Sequence, residues 1–235
     1  MSFEKAEKAE SGEITQVDVN YPTSHSTMRP SPSPAQLRKL GNPGPLGLFA
    51  FASTTLWLSF VNAGVRDINA PNAVASMALF VGGLCQLLAG MWEFACGNSF
   101  GATAFSMFGG FWMSYATIFI PGSGILAAYA DNTTELNNML GLYLEMWFII
   151  TSLLFIASTR RTLGLAALFL CLAITFLLLG IGKLVQSTST GTTKAGGAMG
   201  IITAFIAFYV GTAQLLVREE SWFTLPVGHL PQRLD

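Results

Sequence analysis

The chain has 235 residues, 51% hydrophobic and 11% charged, and its 12 Lys and Arg nearly balance 13 Asp and Glu for a formal net charge of −1. Soluble domains carry about 25% charged residues, so this composition, with a mean hydropathy of +0.52, excludes an ordinary water-soluble globule. The absence of a basic block argues against a nucleic-acid partner.

Residues 1–41 contain almost nothing apolar enough to offset the entropy of ordering and read as a disordered tail. The segment Ser31-Pro32-Ser33-Pro34 is either a phosphorylation target or plain solvated chain, and both readings stand. Six apolar runs follow, approximately Leu46–Gly64, Ala73–Ala95, Phe100–Ile120, Leu136–Ser158, Leu163–Ile181 and Ala195–Val217. At about 1.5 Å per residue each crosses a hydrocarbon layer of about 30 Å. The expected fold is all-α, a polytopic six-transmembrane-helix bundle over residues 42–218, with a C-terminal tail at 219–235. Any function must then reside in the few polar groups at membrane depth.

The first span opens with Asn42-Pro43-Gly44-Pro45-Leu46-Gly47-Leu48. Proline suits the first helical turn, so a stiff helix start is one reading. The other is an anion site, because free N–H groups at a helix N-terminus attract carboxylates. Phe51, Thr55, Leu58 and Asn62 recur on one face, with Thr54 beside it. In the second span Gln86 and Glu93 are seven residues apart, again on one face. An acid at the bilayer centre costs roughly 2.5–3.5 kcal/mol. Gln86 is the deeper cavity-lining candidate, whereas Glu93 either faces a cavity or reaches the interface. The third span starts Gly97-Asn98-Ser99-Phe100-Gly101-Ala102-Thr103-Ala104-Phe105, a polar, glycine-rich run suited to a distorted or close-packed start. Thr54, Thr55 and Thr103 count only in company, since threonines often bond within their own helix. Glu145, in the early part of the fourth span, is either a buried functional acid or an interfacial one, and the interfacial reading is favoured. The last span carries Gly196, Gly200, Ala204, Ala207 and Gly211 at helical spacing, for packing within one bundle or between subunits.

Lys and Arg near the span ends orient the bundle. With the N-terminus inside, Arg38, Lys39, Arg160, Arg161 and Arg218 lie on the cytoplasmic side and Arg66, Lys183 and Lys194 outside. Both termini are then cytoplasmic, and the sequon Asn132-Thr133-Thr134 falls outside. The cysteines Cys85, Cys96 and Cys171 have no metal spacing, and His25 and His229 lie in the tails. No catalytic set, phosphate-binding loop, cofactor motif or metal cluster is visible, so the chain does not read as an enzyme.

The ordered blocks resemble the acetate uptake transporter family, the succinate–acetate permeases of microbes. They comprise Asn42 to Leu48, Phe51 with Thr54-Thr55, Gly82-Gly83 with Gln86, Ala89-Gly90 and Glu93, Gly97 to Gly101 with Thr103 to Phe105, Phe111-Trp112, and Leu225 to Gly228. They extend over about residues 42–228, and the long N-terminal tail is similar to fungal members. The resemblance implies a plasma-membrane homo-hexamer with one pore per six-span protomer, transporting acetate or other small carboxylates, succinate among them. It implies an apolar constriction at Phe51, Phe108 and Leu172. Phe108 stands where bacterial members have Tyr, so the phenolic hydroxyl is absent. The candidate substrate-binding set is Asn42, Thr54, Thr55, Gln86, Glu93, Asn98, Thr103 and Phe105. Protonating a carboxylate of pKa near 4 at pH 7 costs ~4 kcal/mol. Forcing the anion through an apolar ring costs a similar amount, roughly 2.5–3.5 kcal/mol. Proton-coupled uptake and channel-like passage both stay open, as do ammonium export through the same pore and a membrane acetate sensor.

Overall fold

The computed structural model describes residues 40–68 and 70–231. The disordered-tail expectation for residues 1–41 falls almost wholly outside them. Six long helices run through the described residues: α1 (Gly44–Ala63), α2 (Pro71–Ala95), α3 (Ser99–Phe119), α4 (Thr133–Ser158), α5 (Leu163–Leu184) and α6 (Ser189–Leu215). A single helical turn at Ile125–Ala128 sits in the α3–α4 connection. Five of the six are long and apolar enough to cross a bilayer. The remaining one, α3, is a 21-residue helix without a charged side chain, diluted by glycine, serine and threonine.

The helix starts have local causes. The Asn98 side chain accepts from the Gly101 amide at 3.2 Å and caps α3. Asn132 caps α4 through the Glu135 amide at 3.0 Å, and its own amide donates to the Glu135 carboxylate at 3.1 Å. The first bond satisfies one orphan amide of the helix terminus, and the second, side chain to side chain, holds the cap in place. Thr162 caps α5 through the Leu165 amide at 3.2 Å. At α1, Asn42 accepts from the Gly44 amide at 3.0 Å, which supports the stiff start over an open anion site.

Periodicity did not foretell the interior of α2. It begins as a 3-10 turn (Pro71–Ala73), becomes α over Val74–Leu79, widens to a π-helix over Phe80–Cys85 and returns to α over Gln86–Ala95. The glycine pair inside the wide turn lets two neighbours close in. A Cβ on Gly82 would meet Thr54 Oγ1 and the Trp112 ring at 2.8 Å, and one on Gly83 would meet the Met113 side chain of α3 at 2.7 Å. Such π segments re-aim the side chains that follow, here Gln86.

α1 packs most closely on α6, α6 on α5, α5 on α4, and α2 on α3. The small residues of α6 are used inside the bundle. A Cβ on Gly197 would strike the α1 backbone at Ala63, with Asn62 C at 2.8 Å, and one on Gly211 would meet Phe49 at 3.0 Å. Ala204 and Ala207 are fully buried. Close backbone approach supplies the dispersion contact that lipid-embedded helices need. Glu145 does not behave as an interfacial acid. It lies in the middle of α4, its carboxylate lies over Gly180 of α5, and its Oε1 is buried without a partner among the described residues. Gly180 leaves the room that an acid needs to tuck between the helices.

The C-terminal segment returns to the bundle. Leu163 donates to the Gly228 carbonyl at 2.7 Å, Gly164 to Val227 at 3.1 Å, and Leu230 to Arg161 at 3.1 Å. The Tyr209 hydroxyl donates to the Pro226 carbonyl at 2.7 Å. This strap braces the α4–α5 turn, which carries Arg160 and Arg161.

Candidate transport pathway

Two cavities penetrate the bundle from opposite ends of α1. The first, about 260 Å³, opens where α1 begins, beside Asn42, Asn98 and Arg161. The second, about 520 Å³, opens where α1 ends, beside Asn62, Gly64 and Lys194. Phe51 and Leu172 line both, so the cavities meet across these two side chains, and Phe108 closes the first from the side. All three are buried, at 4%, 3% and 3% exposure.

Aromatic packing fixes the pinch. The Phe108 ring lies 5.7 Å from Phe51, 5.8 Å from Trp147, 6.4 Å from Phe169 and 6.3 Å from Phe176, the last nearly parallel at 6°. Each such pair adds about 0.5–1.5 kcal/mol beyond area burial. A ring held on four sides has little freedom to swing aside.

In the first cavity, Gln86 is 1% exposed and its Oε1 has no hydrogen-bond partner among the described residues. Glu93 is buried, not interfacial, and accepts from Asn98 Nδ2 at 2.8 Å. Asn98 Oδ1 also lies 3.5 Å from Arg161 Nη1, and the Arg161 guanidinium sits 4.3 Å above the Phe100 ring. Phe105 packs on Gly47, where a Cβ would meet its ring at 2.7 Å. Asn42, Phe51, Gln86, Glu93, Asn98, Phe105, Phe108 and Leu172 therefore share one wall.

Thr55 belongs to the second cavity. It is 5% exposed, and its Oγ1 and the Trp112 Nε1 are buried and unpartnered among the described residues. An unmet buried polar atom costs about 1–3 kcal/mol; Gln86, Thr55 and Trp112 leave such atoms on the two cavities, while those of Ser106, Glu145 and Trp147 lie off them. Two candidates fall elsewhere. Thr54 donates to the Ala50 carbonyl at 2.9 Å, abuts Gly82 and lines neither cavity. Thr103 is exposed, donates to Ser99 at 2.8 Å and also lines neither. Their register on α1 and α3 turns them toward α2 and outward, respectively. Sequence reasoning missed Arg161, Gln214 and Trp112 as lining groups; for Arg161 the signal was an arginine pair directly after an apolar run.

Three comparisons bear on this geometry. The sequence profile of the GPR1/FUN34/yaaH family matches residues 24–232. Acetate permease A of Emericella nidulans is 45% identical over 83% of this chain and 68% of its own length. Ammonia transport outward protein 2 of Saccharomyces cerevisiae is 45% identical over 87% of this chain and 72% of its own. Among solved structures, the bacterial acetate channel SatP superposes with a TM-score of 0.71 at 31% identity, covering 81% of this chain and all of that one. With a profile that takes in nearly the whole chain and relatives this similar over most of their length, the protein belongs to the GPR1/FUN34/yaaH family.

Proposed function

We propose that the protein is a transporter for acetate and related small carboxylates, passing them through a pore inside each protomer. The observation that carries this reading is the meeting of the two cavities at Phe51 and Leu172. In this account α3 is the sixth span, the protein lies in the plasma membrane with both termini cytoplasmic, and protomers assemble as homo-hexamers. The first cavity then faces the cytoplasm and the second faces outside.

The lining residues perform three tasks. Arg161 draws a carboxylate toward the first cavity, where Gln86 offers its amide. Thr55 Oγ1 and Trp112 Nε1 offer donors on the far side of the pinch. Phe51, Phe108 and Leu172 strip water from whatever passes, which favours a cargo with a small apolar body. Acetate has a methyl group for the ring and a carboxylate for the donors. The barrier is of order 3–4 kcal/mol whether the cargo crosses protonated or as the anion. Both modes fit the same lining.

A second reading, ammonium or ammonia passage, is favoured by Glu93, a buried acid with one side-chain donor in the first cavity. Liposomes containing purified protein test both. Saturable uptake of labelled acetate supports the carboxylate reading, and competition by ammonium places both cargoes in one pore. No acetate movement in either direction at pH 5 or 7 would refute it. An acetate sensor acting through the N-terminal tail would lose its response on deletion of residues 1–40, whereas a transporter keeps its flux.

A further inference from the structure

The two cavities differ in charge. Arg161 and Glu93 are the charged groups lining the first, and they offset each other. Lys183 and Lys194 are the charged groups lining the second, and no carboxylate lines it among the described residues. Lys183 is half-buried near the end of α5 and makes no hydrogen bond or ion pair among the described residues. Lys194 sits in the second turn of α6, its Cε 3.7 Å from where a Cβ on Gly64 would lie.

Two independent features aim at the same space. The 3-10 turn Gln186–Thr188 runs into α6 and takes the Ser189 amide on the Gln186 carbonyl, while Ser189, Thr190 and Thr193 line the cavity with no acid in that first turn. At the floor waits Thr55, nine-tenths buried with its hydroxyl unpartnered among the described residues. Thr55 lies nine positions before Gly64, the residue that ends α1, about 14 Å of helix. Positive charge at the mouth of a narrow cleft with apolar walls focuses its field inward and raises the local anion concentration.

We propose that Lys183 and Lys194 form a capture site for carboxylate anions in the second cavity, delivering them to Thr55 at the pinch. The proposal rests on the transport reading above and adds a polarity to it. Anions presented to the second cavity, with two lysines and no lining carboxylate, are held more tightly than anions presented to the first, where Glu93 opposes the pull of Arg161. The two lysines act on binding and encounter, while the pinch sets the maximal rate.

The test is initial acetate flux against concentration in liposomes of defined orientation, for wild type and for Lys183→Gln and Lys194→Gln. Each variant is expected to raise the half-saturating acetate concentration roughly five- to tenfold when acetate is presented to the second cavity. Maximal flux from that side should change less than about twofold. A passive pore keeps one ratio of maximal flux to half-saturation for both directions, so flux at low acetate from the opposite side should fall by the same factor. Raising salt from about 0.05 to 0.5 M should weaken wild type more than either variant, since screening removes the attraction the variants already lack. Lys183→Arg and Lys194→Arg keep the charge and should restore wild-type half-saturation, which guards against misfolding as the cause. Unaltered half-saturation in both glutamine variants overturns the capture site while wild-type flux leaves the transport reading standing. A loss confined to maximal flux overturns it as well. Absence of acetate flux in wild type overturns both readings.

Discussion

Replacing Gln86 by methionine removes an amide while keeping length and volume, and the structure assigns opposite signs to its two consequences. A hydrogen bond from Gln86 to a carboxylate is worth about 1.5–3 kcal/mol. Losing it lowers apparent acetate affinity roughly 10- to 100-fold, at about 1.4 kcal/mol per decade. The same substitution deletes Oε1, which is buried and unpartnered among the described residues. Leaving such an atom dry costs about 1–3 kcal/mol, so the thermal midpoint in detergent should hold or rise. Labelled-acetate flux in liposomes and thermal unfolding of the same preparation read the two effects separately. Unchanged flux would show that Gln86 does not meet the cargo. Lost flux with a lowered midpoint would show a structural residue instead, and the path would have to be drawn without it.

Leu172→Ala removes side-chain atoms from the wall shared by both cavities. It should raise succinate flux relative to acetate and lower stability by about 2–5 kcal/mol, read by dual-label uptake and thermal unfolding. Gly197→Ala places a Cβ against the α1 backbone at Asn62 and Ala63. A loss of about 1–3 kcal/mol follows, whereas Gly110→Ala, with nothing within 4 Å of the new Cβ, should be neutral or slightly stabilising in the same thermal assay. Truncation before Leu225 removes the acceptors of the Leu163 and Gly164 amides at Gly228 and Val227. Hydrogen exchange at those two amides should accelerate, and acetate flux should fall as Arg161 loses its brace.

The long helices were legible because a twenty-residue apolar run has few fates other than spanning or deep burial. α3 was harder, since the glycines and hydroxyls that let it pack against α2 also dilute its apolar character. The π segment of α2 left no trace in periodicity; the glycine pair Gly82-Gly83 hinted at closeness but not at a widened turn. Gln86 and Glu93 share a wall as their spacing of seven implied. Thr54 and Thr55 are neighbours in sequence, yet Thr54 abuts Gly82 and bonds back to Ala50, whereas the Thr55 hydroxyl faces the second cavity unpartnered among the described residues. Arg161 reaches the first cavity from a turn more than sixty residues beyond Glu93, a contact that pattern reading cannot supply. Lys183 and Lys194 carried weight in the sequence only as topology markers; their shared cavity emerges once α5 and α6 pack.

The central claim is that cargo passes between Phe51 and Leu172. A variant with Cys85, Cys96 and Cys171 replaced by serine and Leu172→Cys introduced puts one thiol at the meeting point of the cavities. Treating its liposomes with a charged, water-soluble thiol reagent while following labelled acetate tests the passage directly. The account expects the thiol to react and flux to stop, with acetate slowing the reaction by occupying the same space. A thiol that reacts while flux continues, or that water-borne reagent never reaches from either side, would contradict it.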